Sequence, residues 1–241
     1  MDLELTGRRA LVTGGSRGIG LAVGRALAAE GADVALVARG EEALRRAAED
    51  VARESGRRAI AATADTGDDA SVAAMVERVV AELGGVDILV NAAATAATGA
   101  PFTDDDLEAQ INVKVRGYLR CARAVAPLMT AGGWGRIVNV SGLAARQTGS
   151  VVGSVRNVAV AALTKNLADE LGPAGINVTV VHPGPTVTER QPPAVTVPSI
   201  GRYVTAAEVA DVIAFLCSPR SVAINGDAIA VGGGAPGVIH Y

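Results

Sequence analysis

Thr13-Gly14-Gly15-Ser16-Arg17-Gly18-Ile19-Gly20 lies between the β-branched run Arg9–Thr13 and the helical pattern Gly18–Glu30. Its glycines Gly14, Gly18 and Gly20 give a Gly-x-x-x-Gly-x-Gly turn. Without side chains at these positions, the backbone can approach a pyrophosphate closely. The helix that follows offers free N–H groups and the positive end of its dipole. A glycine pattern alone says little, but at a first strand-to-helix turn it points to a dinucleotide.

Outward from this turn, short β-branched runs alternate with longer helical patterns. Arg9–Thr13, Asp33–Ala38, Ile60–Ala64, Ile88–Asn91, Arg136–Val140, Asn177–His182 and Ala228–Val231 read as strands. Gly18–Glu30, Glu41–Ser55, Ala70–Leu83, Asp104–Thr130, Val151–Leu171 and Ala206–Ser218 read as helices. The expected fold class is α/β: a single-domain, Rossmann-like, doubly wound parallel sheet of about seven strands with helices on both faces. Ligands of such sheets bind beyond the carboxyl ends of the strands, where the strand order reverses. No linker or charge block divides the chain, so residues 1–241 are expected to form one NAD(P)-binding domain, with a short substrate-loop segment at about 189–203.

Composition narrows the function classes. The chain is 49% hydrophobic but only 2% aromatic, so its core must be built from Val, Ala, Leu and Ile. Net charge is −3 with both signs interspersed, which excludes a nucleic-acid footprint or a membrane-binding basic face. The apolar runs are of strand length, no signal peptide is expected ahead of the first strand, and the expected location is cytoplasmic. Cys121 and Cys217 fall in apolar helix patterns without metal-ligand spacing, and no metal is expected. Thr103 ahead of Asp104-Asp105-Asp106 is a helix cap rather than a metal cluster, and Thr205-Ala-Ala-Glu208 has capping-box spacing.

The second strand bears on the choice of cofactor. NAD sites place an acid about 20 residues beyond the glycines. Here the strand ends in Val37-Ala38-Arg39. Arg39 and Arg17 together suit a 2′-phosphate, so NADP(H) is expected over NAD(H).

These residues, with others, resemble the classical short-chain dehydrogenase/reductase family almost end to end. Ala64-Asp65-Thr66 resembles the adenine-contacting element, and Asp87-Ile-Leu-Val-Asn91-Ala92-Ala-Ala94 resembles the strand end beside the cofactor. Asn112 resembles the asparagine of the water relay, and Ser141 the catalytic serine. Pro183-Gly184-Pro-Thr-Val187-Thr188 resembles the loop that holds the carboxamide. The resemblance implies cofactor contacts from Gly14, Ser16, Arg17, Gly18, Ile19, Gly20, Arg39, Asp65, Thr66, Asn91, Ala92, Asn157, Pro183, Gly184, Val187 and Thr188. It also implies a homodimer or homotetramer, built on the two long helices.

The family's Tyr-x-x-x-Lys is missing. Ala-Ala-Leu-Thr-Lys165 fixes the register, which puts Gly153 at the tyrosine and Asn157 at the lysine. No shift rescues the motif, because no tyrosine lies between Tyr118 and Tyr203 and no lysine between Lys114 and Lys165. Gly153 is expected to leave a tyrosine-sized space beside the nicotinamide position, at a cost of about 1 kcal/mol relative to alanine. Asn157 can hydrogen-bond but brings no charge. Ser141 is either a carbonyl-polarising hydroxyl or an inherited strand-end residue.

Candidate replacement acids are His182 before the Pro-Gly loop, Tyr203 at the substrate segment, and the terminal His240 and Tyr241. Three functions compete. One is an NADP(H)-dependent oxidoreductase that reduces an activated carbonyl or double bond with a non-standard proton donor. Another is a catalytically silent subunit pairing with an intact paralogue. The third is a non-redox dehydratase, isomerase or cyclase using the enlarged pocket. The substrate is a small molecule of unknown identity.

Overall fold

The computed structural model describes residues 1–95, 101–189 and 197–236. A seven-stranded parallel sheet runs through it in the order β3-β2-β1-β4-β5-β6-β9. Its strands are β1 (Arg9–Thr13), β2 (Asp33–Ala38), β3 (Ala59–Thr63), β4 (Ile88–Asn91), β5 (Gly135–Val140), β6 (Ile176–Pro183) and β9 (Ala228–Val231). Two short strands absent from the sequence reading, β7 (Thr186–Val187) and β8 (Val204–Thr205), pair separately. The expected seven-stranded doubly wound fold is the observed one.

Side-chain alternation within the strands builds a core on each face. Ala10, Val12, Val34, Leu36, Ile88 and Val90 pack against α1 (Gly18–Ala29), α2 (Glu41–Ser55) and α7 (Ala206–Leu216). Leu11, Ala35, Val37 and Leu89 face α3 (Asp69–Leu83), α5 (Gly117–Gly132) and α6 (Val151–Leu171). Cys121 and Cys217 are fully buried in these two layers, and burial pushes both thiols up, Cys121 to about 12. Both behave as small hydrophobes.

One expected helix is three. The pattern Asp104–Thr130 divides into α4 (Asp104–Gln110), a π-helical stretch Ile111–Arg116, and α5. Widened turns of this kind interrupt helices at functional sites more often than elsewhere. Both expected capping boxes form, Thr103 with Asp106 and Thr205 with Glu208. Among the described residues, no group of side chains could hold a metal ion, and no helix is long and apolar enough to cross a membrane.

Candidate cofactor and active site

β1 lies between β2 and β4, so the strand order reverses between β1 and β4. Gly14 occupies that switch point with φ +69°, and a Cβ there would come within 2.7 Å of Ala92 O. A Cβ on Gly20 would sit 2.3 Å from Gly14 O. These two contacts explain why positions 14 and 20 tolerate no side chain. Thr13 Oγ1 accepts hydrogen bonds from Ala92 N (3.1 Å) and Ala93 N (3.2 Å), tying the ends of β1 and β4 together.

A cleft of about 820 Å³ opens above this point. It runs past the carboxyl ends of strands β3 to β6, five interstrand spacings or about 24 Å. Of the residues singled out in the sequence, Gly14, Ser16, Arg17, Gly18, Ile19, Gly20, Arg39, Asp65, Thr66, Ala92, Ser141, Pro183, Gly184 and Thr188 line it. Arg17, at the N-terminus of α1, and Arg39, beyond the end of β2, are exposed and form no ion pair among the described residues.

The N-terminus of α1 has no side-chain cap and no acid in its first turn. Instead, Glu189, from the far end of the chain, reaches across to it. Its carboxylate accepts from Gly18 N at 3.0 and 3.2 Å. An anion therefore sits where helix geometry invites one. A glycine cradle that a Cβ would fill, a helix end that binds an anion and two arginines without carboxylate partners among the described residues together fit a phosphorylated dinucleotide.

Several expected site residues lie elsewhere. Asn91 is buried beneath the cleft, where its Nδ2 donates to Asn139 Oδ1 at 3.0 Å. Asn139 in turn donates to Thr164 Oγ1 at 2.9 Å, so β4, β5 and α6 share a buried polar chain. Asn112 also turns away from the cleft: Arg120 Nη1 donates to its Oδ1 (3.0 Å), and its own Nδ2 donates to Gly67 O (3.1 Å). His182 is buried within β6, in register with Ala230. Val187 and Tyr203 line a second cavity of about 550 Å³ with Arg202 and Glu208. There the Arg202 guanidinium, with the cap N–H of Thr205, holds the Glu208 carboxyl down at about 2. His240, Tyr241 and part of the 189–203 segment lie outside the described residues.

The expected opening at Gly153 is not part of the cleft. Gly153 sits in the first turn of α6, where Ser150 Oγ accepts from its N–H at 3.0 Å. A Cβ there would meet Ser150 Oγ at 2.9 Å and Ala144 Cβ at 3.6 Å. The cap thus fills part of the space beside Gly153. Asn157 is buried, and it also stands outside the lining of the cleft. Its side chain lies against Gly142, its Oδ1 has no hydrogen-bond partner, and its main-chain carbonyl accepts from Ser141 Oγ at 3.0 Å.

One charged residue lining the cleft was missed by sequence reasoning. Lys114, in the π-helical stretch, is buried, lines the cleft and donates from Nζ to Ser141 O at 2.9 Å. Burial and then the charge of Arg156 lower its ammonium to about 7. The available signal was compositional: Lys114 and Lys165 are the only two lysines among 22 basic residues.

Comparison with known proteins gives a consistent picture. A family profile described as short chain dehydrogenase matches residues 8–196. A cis-4-hydroxycyclohexanecarboxylate dehydrogenase from Sinomonas cyclohexanicum is 36% identical over 94% of this chain and 96% of its own. A short chain dehydrogenase from Burkholderia cenocepacia, solved in complex with NADP, superposes with TM-score 0.88 at 38% identity, covering 95% of this chain and 98% of that one. An NAD+-bound xylitol dehydrogenase superposes equally well, at TM-score 0.88 and 26% identity, over 96% and 100% of the two chains.

Proposed function

The chain belongs to the short-chain dehydrogenase family of oxidoreductases, and from that premise we propose that it binds NADP(H) and reduces an activated carbonyl or a polarised double bond. The observation that carries this reading is the cleft itself: a glycine cradle at the switch point, flanked by Arg17 and Arg39 without carboxylate partners. Arg39 and Arg17 would hold the 2′-phosphate, and the first turn of α1 the pyrophosphate. Ala92, Pro183, Gly184 and Thr188 would enclose the nicotinamide end. A reduced nicotinamide bound there supplies a hydride. The protein's own part is to orient the substrate, exclude water and deliver a proton without Tyr-x-x-x-Lys. An activated acceptor needs the least acid assistance for that.

A catalytically silent subunit, pairing with an intact paralogue, is the second reading. The commitment of the Ser141 hydroxyl to the Asn157 carbonyl favours it.

Titration with NADPH and NADH separates the outcomes. Arg39→Ala should weaken NADPH binding by about 10- to 100-fold, the loss of a charge-assisted contact, and leave NADH little changed. Equal loss for both nucleotides would refute the 2′-phosphate assignment. NADPH binding without turnover across a panel of diketones, quinones and enones would favour the silent subunit.

A further inference from the structure

We infer that Lys114 is the proton donor at the substrate end of the cleft, an assignment that rests on the oxidoreductase reading above. Three independent features of the molecule converge on this side chain.

The first is placement. Lys114 Nζ lies at the end of β5 against Ser141 O, on the wall shared with Val113, Val140 and Pro183. The other charged residues lining the cleft, Arg17, Arg39 and Asp65, are exposed and follow β1, β2 and β3 in sequence. The second is cost. Lys114 is only 4% exposed and has no carboxylate partner among the described residues. A buried cation left without a counter-charge is expensive, and such groups concentrate where chemistry needs them. The third is choice of residue. A chain that otherwise uses arginine nearly everywhere places at this point the one long basic side chain able to release a proton near neutrality.

The surrounding charges reinforce the assignment. Arg156 on α6 acts on Lys114, and its guanidinium donates to Gln110 Oε1. Arg120 on α5 is taken up by Asp69 and Asn112. The Tyr118 hydroxyl on α5 donates to Val140 O at 2.9 Å, and burial pushes its ionisation up, so it stays neutral. Of the acids of α4, Asp106 is held in the N-terminal cap, and Asp104, Asp105 and Glu108 are exposed to solvent. Among the described residues no carboxylate pairs with the ammonium; its hydrogen-bond partner is the Ser141 carbonyl, and the missing counter-charge favours release of the proton.

The step balances as follows. The carbonyl carbon gains a hydride as NADPH is oxidised to NADP+, and the C=O π bond breaks. The oxygen takes a proton from Lys114 Nζ, giving new C–H and O–H bonds and a neutral amine. Water entering the cleft then reprotonates Lys114.

With only two lysines, 13Cε-lysine labelling gives two signals, assigned with Lys114→Met. The expected Lys114 signal titrates with a midpoint near 7 and moves when NADP+ saturates the cleft. Reduction of diacetyl by NADPH should fall as pH rises through that midpoint. Lys114→Met should lose about 100-fold or more in kcat/KM while still binding NADPH. Lys114→Arg, which keeps the charge, should also bind NADPH and lose turnover together with the pH limb. Lys165→Met should match the parent protein.

A Lys114 signal titrating in the ordinary lysine range, or unmoved by NADP+, overturns the assignment. So does a Lys114→Met protein that reduces diacetyl at the parental rate, or a parent protein that binds NADPH yet leaves diacetyl untouched. Failure of the parent to bind NADPH overturns the oxidoreductase reading, and this assignment with it.

Discussion

Lys114 also marks the stability of the molecule. Burial first, and the charge of Arg156 second, bring its ammonium from 10.5 to about 7 in the folded chain. The unfolded chain keeps that proton until about pH 10.4. Between these values the unfolded state binds more protons, so stability rises with pH. Below about pH 7 both states are charged and the full penalty, on the order of 5 kcal/mol, applies. We expect the urea-derived unfolding free energy of the parent protein to climb between about pH 7 and pH 9.5, by on the order of 3 kcal/mol more than in Lys114→Met. Parallel pH profiles for the two proteins would show that the ammonium is solvated. Nothing in a one-dimensional reading of Asn112-Val113-Lys114 reveals this. Whether a lysine is buried depends on the α5 and α6 layer closing over it.

At the scale of elements, α6 carries a second test. Its N-cap, Ser150, bonds to Gly153 N, and that same hydroxyl would obstruct a Cβ at 153. Ser150→Ala should cost about 1 kcal/mol as a lost cap. Gly153→Ala gains up to about 1 kcal/mol of helix propensity. With the hydroxyl in place it must displace the cap, so the gain and the loss nearly cancel. In a Ser150→Ala background the gain should emerge, and a double-mutant cycle by urea unfolding would measure the coupling. Strict additivity would show that the hydroxyl and the position-153 side chain do not compete. The elements themselves were largely legible, because strand alternation and helix periodicity are local signals; β1, β2, β4, β9, α2 and α6 have the expected bounds. The π-helical stretch was not, since one extra residue per turn leaves the apolar period of Asp104–Thr130 almost intact. The glycine turn at the head of the cleft was legible as well, because glycines and a helix start lie in one short segment. The surroundings of Lys114 were not, because Lys114, Ser141 and Asn157 meet only through the fold.

On the whole molecule, Val151, Val155 and Val158 stand 59%, 46% and 50% exposed along one side of α6. They recur at helical spacing on an element that is apolar on its other side too, the pattern of a helix covered on both faces. The homo-oligomer implied by the family resemblance would cover them with a second copy of α6. Val158→Asp should then shift the sedimenting species to a smaller size while leaving the circular dichroism spectrum unchanged. A parent protein that is monomeric at micromolar concentration would rule out that arrangement. A different long-range contact bears on exchange with solvent. Glu189 joins the end of β6 and β7 to the first turn of α1, 171 residues away in sequence. The helix end is thus occupied by a carboxylate before any nucleotide arrives. On the proposed NADP(H) reading, cofactor capture would be a substitution: an incoming pyrophosphate would displace this side chain, and the affinity would reflect two anions competing for one set of N–H groups. Release would then run the same substitution in reverse, with the tethered carboxylate of Glu189 as the entering group at the helix end.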